Sequence, residues 1–145
     1  MPGIVVGVDG SGYSEHALEW AVRQAALQHA HLTVLTVNPV ATEPWTGNPM
    51  TLQPDQEKQA AAARAAEEAV QKVVSRLGDS RPADVSVAAV SGQAAPALIA
   101  ASQDADLLVV GSRGAGGFAS LLLGSVSIQV VQHSACPVVV IPAAK

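Results

Sequence analysis

Five short aliphatic runs, GIVVGVD, HLTVLTV, DVSVAAV, DLLVVGS and CPVVVIP, recur along the chain with helix-patterned stretches between them. Several runs are continuously apolar rather than alternating, the pattern of strands buried on both faces of a parallel sheet. In residues 14–29, Leu18, Ala21, Val22 and Ala25 share one stripe, with Ser11 or Ser14 as N-cap candidates. Residues 59–77 are rich in alanine and glutamate; Ala62, Ala66, Ala69, Val73 and Leu77 form their stripe, and Gly78 ends it. Shorter helices are expected over 94–102 and from about 125 to 132. The order β-α-β-α-β-α-β-α-β predicts an α/β domain over 1–145: a single doubly wound five-stranded parallel sheet with helices on both faces. In such sheets ligands bind beyond the carboxyl ends of the strands, where strand order reverses.

Composition narrows the function classes. With 145 residues, 49% apolar and 14% charged, the chain is expected to bury a core of its own. No apolar run approaches the ~20 residues of a membrane span, and the opening MPGIVVGVDG lacks the flanks of a secretory signal, so a cytoplasmic location is expected. The lone Cys136 excludes an internal disulfide and reads as a small packed residue. A net charge of −4 argues against nucleic acid as a partner. Its distribution says more. All twelve acidic residues lie at or before Asp106, and beyond it only Arg113 and Lys145 are charged. Clearing carboxylates from the C-terminal part lowers repulsion toward a bound anion there, although buried sheet and helix are also poor in charge.

The stretch GSRGAGGFASLLLGSVS, residues 111–127, follows the fourth apolar run. Its glycines permit positive φ and close backbone approach to a ligand. Ser125, Val126 and Ser127 fall at the first turn of the last helix, where unpaired N–H groups and a partial positive charge suit a phosphate. A P-loop is excluded, because no lysine lies between Lys72 and Lys145. The relaxed dinucleotide match GAGGFA follows the fourth strand instead of the first, and no acidic residue lies downstream to hold a ribose.

Gly111, Gly114, Gly124 and Ser125 stand in the spacing G-x2-G-x9-G-[S/T], which resembles the signature of the ATP-binding branch of the universal stress protein family. The resemblance extends from VGVDGSGYSEHALEWA through the closing third of the chain. It implies a Rossmann-like, adenine-nucleotide alpha hydrolase-like fold that binds ATP, with Mg2+. Carried over, Asp9 would contact the adenine or ribose, Val37 would offer its backbone to the adenine at the end of the second strand, and Gly111 would approach the ribose. Gly114, Gly124, Ser125, Val126 and Ser127 would surround the phosphates, and Arg113 would supply positive charge in place of the missing lysine. Gly92 matches a family position near the nucleotide. Asp9 in VDGSG also suits a plain turn, and Arg113 a solvated loop.

Other constellations are weaker. His29 and His31 form H-x-H without a cysteine partner and read as solvated. No Ser-His-Asp arrangement is visible along the chain. Residues 38–55 carry Pro39, Pro44, Pro49 and Pro54 and read as an irregular connection, either a lid or a surface insertion; Trp45 lies within it. Trp20 reads as core edge. The last strand, flanked by Pro137 and Pro142, is expected at a sheet edge, and the resemblance implies a homodimer paired through it. Three functions remain open: a regulatory ATP-binding protein of the stress response, a slow ATPase or self-phosphorylating enzyme with Ser125 or Ser127 as acceptor, and a nucleotide-free scaffold.

Overall fold

In the computed structural model, the residues described are 3–9, 12–39, 56–78, 82, 84–112 and 125–142. Strands β1 (Ile4–Val8), β2 (Leu32–Pro39), β3 (Val85–Gly92), β4 (Leu107–Gly111) and β5 (Val138–Ile141) alternate with α1 (Gly12–Gln28), α2 (Gln56–Leu77), α3 (Ala94–Ser102) and α4 (Ser125–His133). The strands form one parallel sheet in the order β3-β2-β1-β4-β5, so the order reverses between β1 and β4.

Side chains on successive strand residues point to opposite faces, and this sheet buries both. Ile4, Val6, Leu32, Val34 and Val109 pack against Leu18, Ala21 and Val22 of α1 and Val70 and Val73 of α2. Leu35, Leu108 and Val110 pack on the other face against Ala95 and Leu98 of α3 and Val130 of α4. Trp20 lies partly buried at the margin of the first layer. The apolar runs are therefore unbroken because adjacent residues serve different layers.

Local chemistry sets the ends of the elements. The first helix begins at Gly12 rather than at 14, and Ser14 sits inside its first turn. Ser14 does not cap the helix by preceding it. Its buried hydroxyl oxygen accepts the Asp9 N–H at 3.3 Å, tying the helix start to the end of β1. Ser11 lies outside the described residues. At the other end His29 adopts φ 53, while the Ala30 N–H reaches the Ala25 carbonyl at 2.9 Å and the His29 N–H the Ala26 carbonyl at 3.4 Å. That paired arrangement closes the helix without glycine. Helix α2 starts three residues earlier than its alanine stripe suggests and ends before Gly78, whose φ of 57 suits a residue without Cβ. Glu15 of α1 pairs with Lys72 at 3.4 Å and Arg76 at 3.1 Å of α2 across the helix seam.

Both edges of the sheet are β3 and β5. Gln59 of α2 donates to the Ala89 carbonyl at 2.8 Å and accepts from the Ser91 hydroxyl at 2.7 Å, which occupies part of the β3 edge. The irregular connection begins later than its prolines suggest: Asn38 and Pro39 are still in β2, paired with Ser91 and Gly92. Pro39 is tolerated there because odd residues of β2 turn their backbone to the β1 side, and beyond the last rung Val8↔Thr36 its missing N–H costs no ladder bond. Residues 40–55, Trp45 among them, lie outside the described residues. Among those described, no helix is long and apolar enough to cross a membrane.

Leu108 is fully buried in the central layer, whereas Leu27 is 76% exposed. Leu108→Ala is expected to cost about 2–5 kcal/mol and Leu27→Ala less than about 0.5 kcal/mol, read as the difference in urea midpoint.

Candidate functional site

The reversal of strand order places the expected ligand crevice at the carboxyl ends of β1 and β4, and the ladders show which backbone groups face it. In a parallel ladder a residue's N–H and C=O turn to the same neighbouring strand, and the side alternates along the chain. The Ile4 N–H bonds to the His31 carbonyl and the Leu32 N–H to the Asp84 carbonyl, so odd residues of β2 face β1 and even ones face β3. The last rung between β1 and β2 is Val8↔Thr36. Val37 completes that rung, and its carbonyl is the first β2 acceptor beyond it on the β1 side. Val37 is thus not the last residue of its strand, yet its backbone is directed past the end of β1.

The same logic applies on the other side. Pairing of β1 with β4 stops at Val6↔Val109, while the Leu108 and Ser112 N–H groups bond to Pro137 and Ile141 of the β5 side. Odd residues of β4 therefore face β1, and Gly111 is the first of them beyond the last rung. Asp9, exposed and one residue past β1, stands between these two backbone edges. Its own amide turns to Ser14.

Helix α4 begins beside this crevice. Ser125 is exposed, Val126 is half-buried and Ser127 is 2% exposed. The Ser127 hydroxyl donates to the Ser112 carbonyl at 3.4 Å, fixing the start of α4 to the end of β4. Of the two serines expected to reach phosphate with their hydroxyls, Ser127 is thus committed inward. The first-turn amides of α4 have no intrahelical acceptor by construction of a helix. The candidate residues Arg113, Gly114 and Gly124 lie outside the described residues. Gly92 ends β3 with φ 136, a conformation that L side chains rarely adopt, and it sits in register with Pro39, one strand away from the crevice.

Behind Asp9 a groove of about 340 Å³ runs between α1 and α2. Val8, Asp9, Ser14, Leu18 and Thr36 form one wall. Ala62, Ala65, Ala66 and Ala69 form the other, with Glu15, Glu68 and Lys72 at its margin. The alanine run that sequence analysis reads only as helix propensity has a second effect: side chains that stop at Cβ leave a slot between two helices. Thr36 and Ser14 escape a motif search because they belong to no signature. Thr36 is nevertheless found by strand alternation, since it shares the face of Leu32 and Val34.

Two expectations are corrected away from the crevice. His31 is not simply solvated: its Nδ1 lies 2.7 Å from Asp84 Oδ2 and its Nε2 3.0 Å from Ser86 Oγ. A Ser-His-Asp chain therefore does exist. It is invisible in sequence because 53 residues separate His31 from Asp84 and only the β2–β3 pairing joins them. Cys136 is half-buried, with Ser134 Oγ 3.7 Å from its sulfur.

The chain resembles known proteins over almost its whole length. The family model for universal stress proteins matches residues 2–142. Two universal stress proteins of Mycobacterium tuberculosis are 36% identical over 151 residues and 39% identical over 144. The alignments cover 97% and 96% of this chain but 48% and 47% of the relatives, so the chain spans about half the length of these curated proteins. A crystal structure of a universal stress protein in complex with cAMP superposes with a TM-score of 0.69 at 28% identity, covering 99% of this chain and 98% of that one. The reversed five-stranded sheet and these similarities agree, and the chain belongs to the universal stress protein family.

Proposed function

We propose that the chain binds an adenine nucleotide, ATP with Mg2+, in the crevice between β1 and β4, and serves as a regulatory nucleotide-binding unit of a cytoplasmic stress response. The observation that carries this reading is the pair of backbone edges on either side of Asp9. The Val37 carbonyl and the Gly111 backbone both lie beyond the last rungs that join their strands to β1. A carbonyl in that position accepts from an exocyclic amino group, which adenine has and hypoxanthine lacks. Asp9 accepts from ribose hydroxyls, and the groove behind it supplies an apolar wall for the base. The cAMP carried by a structural relative belongs to the same ligand class.

Phosphates would be held by the amides opening α4, at Ser125, Val126 and Ser127, with the Ser125 hydroxyl as a further donor; Gly114, Gly124 and Arg113 would complete the cradle. Among the described residues no group of three His, Cys, Asp or Glu side chains is placed to hold a metal. Mg2+ usually keeps its waters and takes phosphate oxygens as ligands, so it would enter with the nucleotide and neutralise its charge. The buried, hydrogen-bonded Ser127 is a poor phosphoryl acceptor, and this favours occupancy over turnover as the working signal. The β5 edge is the proposed pairing strand of a homodimer, since Val138 and Val140 turn their backbone groups outward from β4.

Isothermal titration with ATP and Mg2+ is expected to give saturable heat. Asp9→Ala should weaken binding about tenfold, the ~1.4 kcal/mol of a charge-assisted hydrogen bond, and Gly124→Asp should abolish it. ITP, which presents an oxygen where ATP has an amino group, should bind at least about tenfold more weakly, because it would leave the Val37 carbonyl facing another acceptor. Equal affinities for ATP and ITP would contradict the assignment of Val37. Light scattering at micromolar concentration should give the mass of two chains, and the mass of one chain would refute pairing through β5.

A further inference from the structure

At the opposite end of the sheet from the crevice, His31 immediately precedes β2, and Asp84 and Ser86 flank the first residue of β3. The register Leu32↔Val85 and Thr33↔Ser86 sets the three side chains close together on one face of the β2–β3 pair. That face is the one packed by α3 over β1, β2 and β4, and Ser86 and Asp84 are exposed on it. His31 is 29% exposed at its side chain.

The hydrogen-bond chain has one consistent proton assignment for a neutral ring. An ionised Asp84 carboxylate can only accept, so Nδ1 of His31 carries the hydrogen in the 2.7 Å bond. Nε2 is then an acceptor, and the Ser86 hydroxyl donates to it at 3.0 Å. This is the tautomer and the order of groups that a serine nucleophile needs: a base on the hydroxyl proton, and a carboxylate that orients the base. Odd residues of β3 turn their backbone away from β2, as the bond from Gln59 to the outward Ala89 carbonyl illustrates. The Val87 N–H, one residue past Ser86, accordingly faces the open edge, the side from which a substrate carbonyl can approach.

We propose that Ser86 is an activated nucleophile toward small, unhindered acyl esters, with His31 as its general base and Asp84 as the residue that positions the ring. Ser86 Oγ attacks the ester carbonyl carbon, and its proton passes to His31 Nε2. The tetrahedral adduct collapses with cleavage of the bond to the leaving oxygen, which takes the proton from Nε2. The product is an acyl ester on Ser86, released by water through the same base. The site lies at the other end of the strands from the nucleotide crevice, so it stands or falls independently of nucleotide binding.

The test uses the whole chain without nucleotide. Incubation with p-nitrophenyl acetate should place one acetyl group on Ser86, located by peptide mass spectrometry, and a fluorophosphonate probe should label the same residue. Neither readout on the parent chain depends on any variant folding. Ser86→Ala should abolish both, and His31→Gln should slow acetylation by about 10²–10⁴-fold. Asp84→Asn should slow it while leaving the Ser86 acceptor in place, with the urea midpoint of each variant showing that it is folded. Acetyl groups found only on lysines or the amino terminus, no probe on Ser86, or unchanged acetylation in a folded His31→Gln would overturn the proposal, leaving the chain as a tie between β2 and β3.

Discussion

The reversal of strand order at β1 governs the rest of this structure. With β2 on one side and β4 on the other, β1 ends while β2 runs three residues further, and its pairing with β4 stops at Val6↔Val109, before either of those two strands ends. Backbone groups that have lost their rung must find another partner or face solvent. The Asp9 amide finds Ser14, which also fixes where α1 begins. The Val37 carbonyl and the Gly111 backbone lie beyond their last rungs to β1, one on each side of it, and the start of α4 is tied to the end of β4 through Ser127 and Ser112. These main-chain groups are therefore left open by the topology itself and not by specialised side chains.

The core makes such a crevice affordable in a small domain. Both faces of the sheet are buried by aliphatic residues that alternate between the α1–α2 layer and the α3–α4 layer. A fully buried Leu or Val contributes roughly 1.5–3 kcal/mol, and the central strands carry most of them. That rigid base allows the carboxyl ends to stay open. Alanine on α2 holds the helices close enough to pack at Ala66 and Val70 while leaving the groove that begins at Asp9. The charged pairs across the seam, Glu15 with Lys72 and Arg76, are half-exposed and serve alignment more than stability.

Sequence analysis reaches the sheet, the helix order and the edge position of the last strand because continuous valine runs and helical stripes have few alternative folds. Asp9 and Gly111 are placed at strand ends from the sequence because strand ends are legible, whereas Val37 is named only through the family resemblance and lies two residues before the end of β2. The orientation of the Val37 carbonyl is not legible, since it depends on where each ladder stops. Register is also why His31 reads as solvated and Asp84 and Ser86 go unnoticed: the three come together only when β2 pairs with β3. Ser14 is misplaced by one turn because a serine before a helix and a serine within its first turn look alike in sequence. Strand boundaries shift because proline stops a strand only where its N–H would be needed, and at Pro39 the β1 ladder has already ended. The alanine run of α2 gives no hint of a groove, because a missing side chain matters only once a second helix lies opposite.

Reading of an adenine base by main chain at the carboxyl end of β1 is the central proposal. A crystal structure of the chain with ATP and Mg2+ tests it most directly. The base amino group should lie within hydrogen-bonding distance of the Val37 carbonyl, the ribose against Asp9 and Gly111, and the phosphates at the first turn of α4. A nucleotide bound elsewhere, or a crevice closed by Val37 and Gly111 bonding to β1, would contradict it.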